Sequence, residues 1–200
     1  MKQDKNVLLI SGSRLLSYPS NQFFWDLKEL RTVIEDLVDS DQIKEQLDQV
    51  FDSLMSLSRK DLQELYVRSF DLREKTGLYL TAHELGDSTR RGAALIKLQK
   101  MINQAGFERE DQELVDYIPM LLEFLSAAPS TNEIERLESR LAVALGRILD
   151  NLDEDNPYQE ILMLLLEHVF PTPSKEDIEQ LENNREEADL EELPYPIMYQ

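Results

Sequence analysis

Cysteine is absent from this 200-residue chain. That excludes disulfides, thiolate metal sites, iron–sulfur ligation and cysteine nucleophiles, and it fits a reducing compartment. Histidine is nearly absent too, with only His83 and His168. A di-iron bundle needs Glu-x-x-His on two helices, but Leu80 and Leu165 stand three residues before the two histidines. His-Glu-x-x-His is also missing. Both histidines therefore read as helix-face residues that hydrogen-bond or face solvent, and no metal and no cofactor of the chain's own is expected. Basic residues are few: 21 Lys+Arg stand against 40 Asp+Glu, a formal net charge of −19. Such a chain repels phosphate backbones and anionic lipid, so neither nucleic acid nor a membrane surface is an expected partner. Long apolar runs are lacking. The longest, Ile161–Leu166, is far too short to cross a bilayer. Near the N-terminus, Asp4 and Arg14 break the pattern a signal peptide needs. The expectation is a soluble cytoplasmic protein.

Catalytic signatures are missing as well. Gly86 and Gly92 bracket a turn-like stretch without the Gly-Lys-Ser/Thr ending of a phosphate loop. No Gly-x-Ser-x-Gly elbow occurs. Paired carboxylates abound on so acidic a chain, so pairing alone does not argue acid–base catalysis. Nothing demands an enzyme.

What is present is helix. Apolar residues recur at helical spacing, period-two alternation is nearly absent, and glycine numbers only 6. About eight helices are predicted in one all-α globular domain spanning residues 1–173. They run over Asn6–Tyr18, Gln22–Val38, Ser40/Asp41–Ser56 and Leu62–Phe70, the last opened by Ser58-Arg59-Lys60-Asp61. A short helix lies around Thr76–Leu85, and Asp87 or Ser88 caps Arg90–Gln104. A polar loop at 107–112 follows. Then come a helix ending at Ala127-Ala128-Pro129, one opened by the capping box Ser130–Glu133 and reaching Leu152, and one opened by Asn156-Pro157. That last helix is apolar nearly all round (Ile161 to Leu166) and is expected at the centre. Residues 174–200 are read as a short helix, Ile178–Asn183, and an acidic, mobile tail. The charge is local: residues 61–110 are neutral, whereas residues 151–200 carry a net −12. Arg90 and Arg91 oppose the dipole at their helix N-terminus. They are expected to meet something acidic, within the protein or on a partner; the plainest version is a salt bridge to the acidic C-terminal half.

The stretch Glu113-Leu114-Val115-Asp116-Tyr117-Ile118-Pro119 stands out. Pro119 cannot lie deep in a helix, so the helix is placed from about Tyr117 with Asp116 as its N-cap. Glu113 then sits in the loop and Asp116 at a helix mouth. The arrangement suits an acidic, aromatic-lined rim that holds a basic amphipathic peptide. Apolar anchors of such a peptide would meet Tyr66, Phe70, Tyr117, Met120 and Phe124. Capping alone explains Asp116 equally well.

Three stretches in order resemble a known family: Leu65-Tyr66-Val67-Arg68-Ser69-Phe70-Asp71, then Tyr79 to Gly92 with Thr81-Ala82-His83-Glu84 inside it, then Glu113 to Pro119. They are similar to the NarJ, TorD and DmsD group of redox-enzyme maturation chaperones, above all to its nitrate reductase branch. The resemblance covers roughly residues 8–170 and is strongest over 65–125. The group's usual Glu-Leu-Pro-Asp-His/Tyr-Leu-Pro box departs here at Val115 and Ile118. The resemblance implies an all-helical, TorD-like, non-enzymatic chaperone. Its partner would be the N-terminal segment of the apo catalytic (alpha) subunit of respiratory nitrate reductase. It would hold that subunit for insertion of molybdenum cofactor and an iron–sulfur cluster before membrane docking. Residue by residue, Glu113, Asp116, Tyr117 and Pro119 match the box linked to peptide binding, and His83, Arg91 and Gly92 match the neighbouring motif. Contact with molybdenum cofactor delivery proteins stays open, as does oligomeric state.

Two other classes compete. An acidic helical regulatory module for another enzyme would bind a folded partner and ignore the isolated peptide. An enzyme with a carboxylate-only site would lose a defined activity when one carboxylate is changed. The apolar end Leu193–Tyr199 is read first as a free terminus, and second as a hook for the groove or the client.

Overall fold

The computed structural model describes residues 2–86, 88–108 and 113–170, with Pro173, Lys175 and Ile178. The predicted short helix at Ile178–Asn183 and the tail after it lie, apart from Ile178, outside the described residues, as does Asp87.

Among the described residues the fold is all-helical, as expected, with nine α-helices. They are α1 (Lys2–Leu15), α2 (Phe23–Leu37), α3 (Asp41–Met55), α4 (Arg59–Tyr66), α5 (Leu80–Leu85), α6 (Arg91–Gln104), α7 (Ile118–Ala127), α8 (Asn132–Asn151) and α9 (Tyr158–His168). None is long and apolar enough to cross a membrane. Each answers to one predicted stretch, but the one read over Thr76–Leu85 is shorter than expected. A 3-10 turn covers Glu74–Thr76, and α5 starts only at Leu80. Gly86 ends α5 with φ +56°, a left-handed conformation that costs a glycine little.

Three caps follow the sequence. Ser40 and Ser58 accept from the amides of Ile43 and Asp61, three residues on, and Asn156 Oδ1 accepts from Tyr158 N at 3.0 Å. The capping box at 130–133 slips by one. Thr131, not Ser130, is the cap, its hydroxyl accepting from Ile134 N.

The core lies between α1, α7 and α9. Helix α1 packs most extensively on α7 and also touches α2 and α9. It does so through Leu8, Leu9 and Leu15 and through a run of small residues, Ser11-Gly12-Ser13, all buried. A Cβ on Gly12 would stand 2.8 Å from Leu165 Cδ1 on α9 and 3.2 Å from Leu122 Cδ1 on α7. The glycine is what lets three helices converge there. Helix α9 buries Tyr158, Ile161, Leu162, Leu164 and Leu165 against α1, α3 and α8. It is central as expected, with Met163 its exposed exception.

Candidate functional site

The three stretches that stood out in sequence meet at one end of this core. In the first, α4 runs into a single π-helical turn, Val67–Asp71, closed by the Leu72 amide on the Val67 carbonyl at 3.1 Å. Such widened turns are uncommon and recur at functional sites. This one is held from outside the helix. Asn156 Nδ2 donates to Ser69 Oγ at 2.7 Å, and the Thr76 hydroxyl donates to the Ser69 carbonyl. Tyr66 and Phe70 stack edge-on at 5.1 Å, and Phe70 leans on Tyr158 at 4.9 Å. Asp71 is carried out to the surface.

The second and third stretches pair as backbone. Tyr79 and Tyr117 form an isolated antiparallel bridge: Leu80 N donates to Asp116 O and Ile118 N to Leu78 O, both at 2.9 Å. The bridge sets the two tyrosine rings 5.5 Å apart. The Tyr79 hydroxyl donates to Glu113 Oε2 at 2.9 Å. The Tyr117 hydroxyl lies 3.0 Å from that of Tyr66. Tyr66 is also 3.3 Å from the Leu16 carbonyl, which can only accept. Tyr66 therefore donates to Leu16 and Tyr117 donates to Tyr66, while the Ser17 side chain also hydrogen-bonds Tyr117.

These groups make an acidic, phenolic mouth. Burial, then the Glu113 carboxylate, raise the Asp71 carboxyl above its ordinary range. Burial likewise pushes up the phenols of Tyr66, Tyr79 and Tyr117; for Tyr79 the bond to Glu113 comes next. The phenols stay neutral, and the shift of Asp71 marks unfavourable negative charge that a cation placed here relieves. Beside Glu113 runs a groove of about 760 Å³ between α6 and residues 113–115, lined by Leu95, Ile96, Gln99, Lys100, Leu114 and Val115. Ile96 and Leu114 are 58% and 46% exposed, well above an ordinary buried aliphatic residue. On the far side Tyr18, 47% exposed, packs edge-on against Tyr66.

The predicted site residues sort by depth. Glu113 and Tyr117 line the mouth. Tyr66 is buried and reaches it only through its hydroxyl. Phe70 lies behind Tyr66, and Pro119 is buried in the first turn of α7. Met120 is half-buried against the core, and Phe124 is buried edge-on against Phe107 at 5.3 Å. His83, within α5, is half-buried, its Nε2 2.7 Å from the Gly77 carbonyl while Arg147 of α8 donates to the His83 carbonyl.

Asp116 departs from its predicted role. It is fully buried and does not cap α7, whose N-cap is Tyr117. Its Oδ2 instead accepts from the Thr81 amide at 3.1 Å, and from the Thr81 hydroxyl, in the first turn of α5. The same oxygen accepts from Arg91 Nη2 at 3.4 Å. Arg91 Nε donates to Thr81 Oγ1 at 3.0 Å, and its guanidinium carbon lies 5.9 Å from the centre of the Tyr79 ring. The acidic group that Arg91 was expected to meet is thus inside the protein and in the C-terminal half, as the plainest version had it: it is Asp116, in the 113–119 stretch.

Sequence reasoning missed Asp71, Tyr79, Thr81 and Ile96 as site residues. Tyr79 and Thr81 lay within a quoted motif. Ile96 sits amid the polar, outward positions of α6, and that break in pattern was a readable signal.

Known proteins resemble this chain over the region that holds all three stretches. The profile described as nitrate reductase delta subunit matches residues 36–156, which includes all three stretches. A relative from Bacillus subtilis (strain 168), named as a probable nitrate reductase molybdenum cofactor assembly chaperone NarJ, is 32% identical over 162 residues, 80% of this chain and 86% of the relative. The nitrate reductase molybdenum cofactor assembly chaperone NarJ of Escherichia coli (strain K12) is 29% identical over 136 residues, 66% of this chain and 56% of that protein. A probable chaperone of the same kind from that strain, NarW, is 29% identical over 125 residues, 62% of this chain and 51% of its own length. With the profile spanning more than half the chain and the Bacillus relative matched over most of both lengths, the chain belongs to the nitrate reductase delta subunit family.

Proposed function

We propose that this protein is an assembly chaperone for respiratory nitrate reductase. It acts by binding and not by catalysis. Its ligand is the N-terminal segment of the apo catalytic subunit, and it holds that subunit in the cytoplasm, before membrane docking, while molybdenum cofactor and an iron–sulfur cluster enter the client. The observation that carries this reading is the convergence of Glu113 and Asp71 with three tyrosines beside an open apolar groove. A helical or extended peptide with apolar anchors and basic flanks answers both halves of that surface. The apolar anchors set the lifetime of the complex, and the carboxylates speed and orient its formation.

Calorimetry with a synthetic peptide of the client's N-terminal segment tests this. Binding is expected to weaken with added salt and to fall roughly tenfold in Glu113→Gln, as for loss of one partly buried charge contact. No heat of binding to the wild-type chain would overturn the reading. In cells lacking the gene, nitrate reductase should accumulate without molybdenum cofactor. A normal cofactor content there would argue for the regulatory alternative.

A further inference from the structure

The geometry points to Asp116 as a buried counter-charge that cancels Arg91 and thereby keeps the mouth negative, rather than as a group that touches the ligand. The inference rests on the reading that the mouth takes a cationic peptide. Asp116 has no exposed surface, so a ligand at the mouth does not touch it. Three donors converge on its Oδ2: the Thr81 amide, the Thr81 hydroxyl and Arg91. Its Oδ1 is buried with no hydrogen-bond partner. A carboxylate kept here at that cost is held for its charge, since neutral acceptors would satisfy the Thr81 donors equally well.

The charge it answers is that of Arg91. The Arg91 side chain is one-quarter exposed while that of Asp116 is not exposed at all, so the guanidinium faces outward from the pair. It lies against the Tyr79 ring, whose hydroxyl is bonded to Glu113 at the rim. The path from buried carboxylate to rim is therefore Asp116, Arg91, Tyr79, Glu113. Paired, Arg91 is electrically quiet. Unpaired, it is a full positive charge one aromatic ring away from the carboxylate that receives the ligand's cation.

This role predicts a pattern that a purely structural role does not. Asp116→Asn keeps an acceptor for Thr81 and leaves Arg91 uncancelled, so affinity for the client peptide should fall about tenfold and its salt dependence should flatten. Arg91→Gln leaves the mouth more negative, so its affinity should equal or exceed wild type. The double variant Asp116→Asn with Arg91→Gln restores the original charge and should bind within about twofold of wild type. Titration calorimetry of the full-length chains at two salt concentrations reads all three, with circular dichroism confirming the helical fold. A double variant as weak as Asp116→Asn, or an Arg91→Gln variant that is itself weakened tenfold, overturns the inference. Should Asp116→Asn fail to fold, Arg91→Gln alone still decides. Absence of binding by wild type would count against the proposed function and is a separate result.

Discussion

His83 sits in a pocket that leaves its tautomer no choice. The Gly77 carbonyl 2.7 Å from Nε2 accepts only, so Nε2 carries the proton. Burial lowers the ring's pKa below 6.5. The Gly77 bond and Glu84 oppose that shift, and the Arg147 guanidinium adds to it. A histidine with a depressed folded pKa binds its second proton more readily when unfolded. Its penalty is absent above about pH 6.5 and grows as pH falls from there toward the lowered folded value. Thermal melts between pH 7.5 and 5.5 should therefore show Tm falling, and less steeply in His83→Gln, which keeps a donor for Gly77. Equal slopes in the two proteins would refute this. In sequence His83 was legible only as a helix-face residue and through a family motif. Its neighbours on both sides come from contacts of long range, to α8 through Arg147 and, one residue on, through the Glu84–Arg140 pair at 2.6 and 2.7 Å.

Helix ends and helix irregularities divide sharply in how far they could be read. Ser40 and Ser58 cap where local chemistry says, because an N-cap needs only its own next three residues. At 130–133 two adjacent hydroxyls compete, and the structure chooses Thr131. Thr131→Ala should cost about 1 kcal/mol, whereas Ser130→Ala should stay within about 0.5 kcal/mol of wild type by denaturant melts. The π turn at Val67–Asp71 had no local signal. Its apolar spacing also suits an ordinary α-helix, and the widening is held by Asn156 and Thr76, which lie outside it. Asp116 failed as a predicted cap for a related reason. A carboxylate beside a helix start caps that helix by default, but here the Tyr79–Tyr117 bridge brings a second helix start within reach. The aspartate serves α5, 35 residues away in sequence.

At the scale of the whole molecule, two helical glycines have opposite expected fates. Around Gly12 the terminal carbons of Leu165 and Leu122 belong to fully buried side chains, so they can shift only by repacking their neighbours. Gly12→Val should destabilise by about 1–3 kcal/mol through overpacking where α1, α7 and α9 meet. Gly146 in α8 has open space around its missing Cβ, so Gly146→Ala should stabilise by roughly 0.5–1 kcal/mol. Urea melts of both variants check the contrast, and a Gly12→Val chain as stable as wild type would contradict the three-helix contact. A family resemblance singled out the three stretches that meet at the candidate site, and residue order alone determined the all-helical class, most element boundaries and the central place of α9. Those depend on periodicity, capping and punctuation, which act over a few residues. Only the tertiary structure decided how the stretches face one another: the bridge that joins residues 79 and 117, the mouth made of Asp71, Glu113 and three phenols, and the burial of Asp116 against Arg91. Each of these depends on which surfaces the packed helices bring together, and no local pattern encodes that.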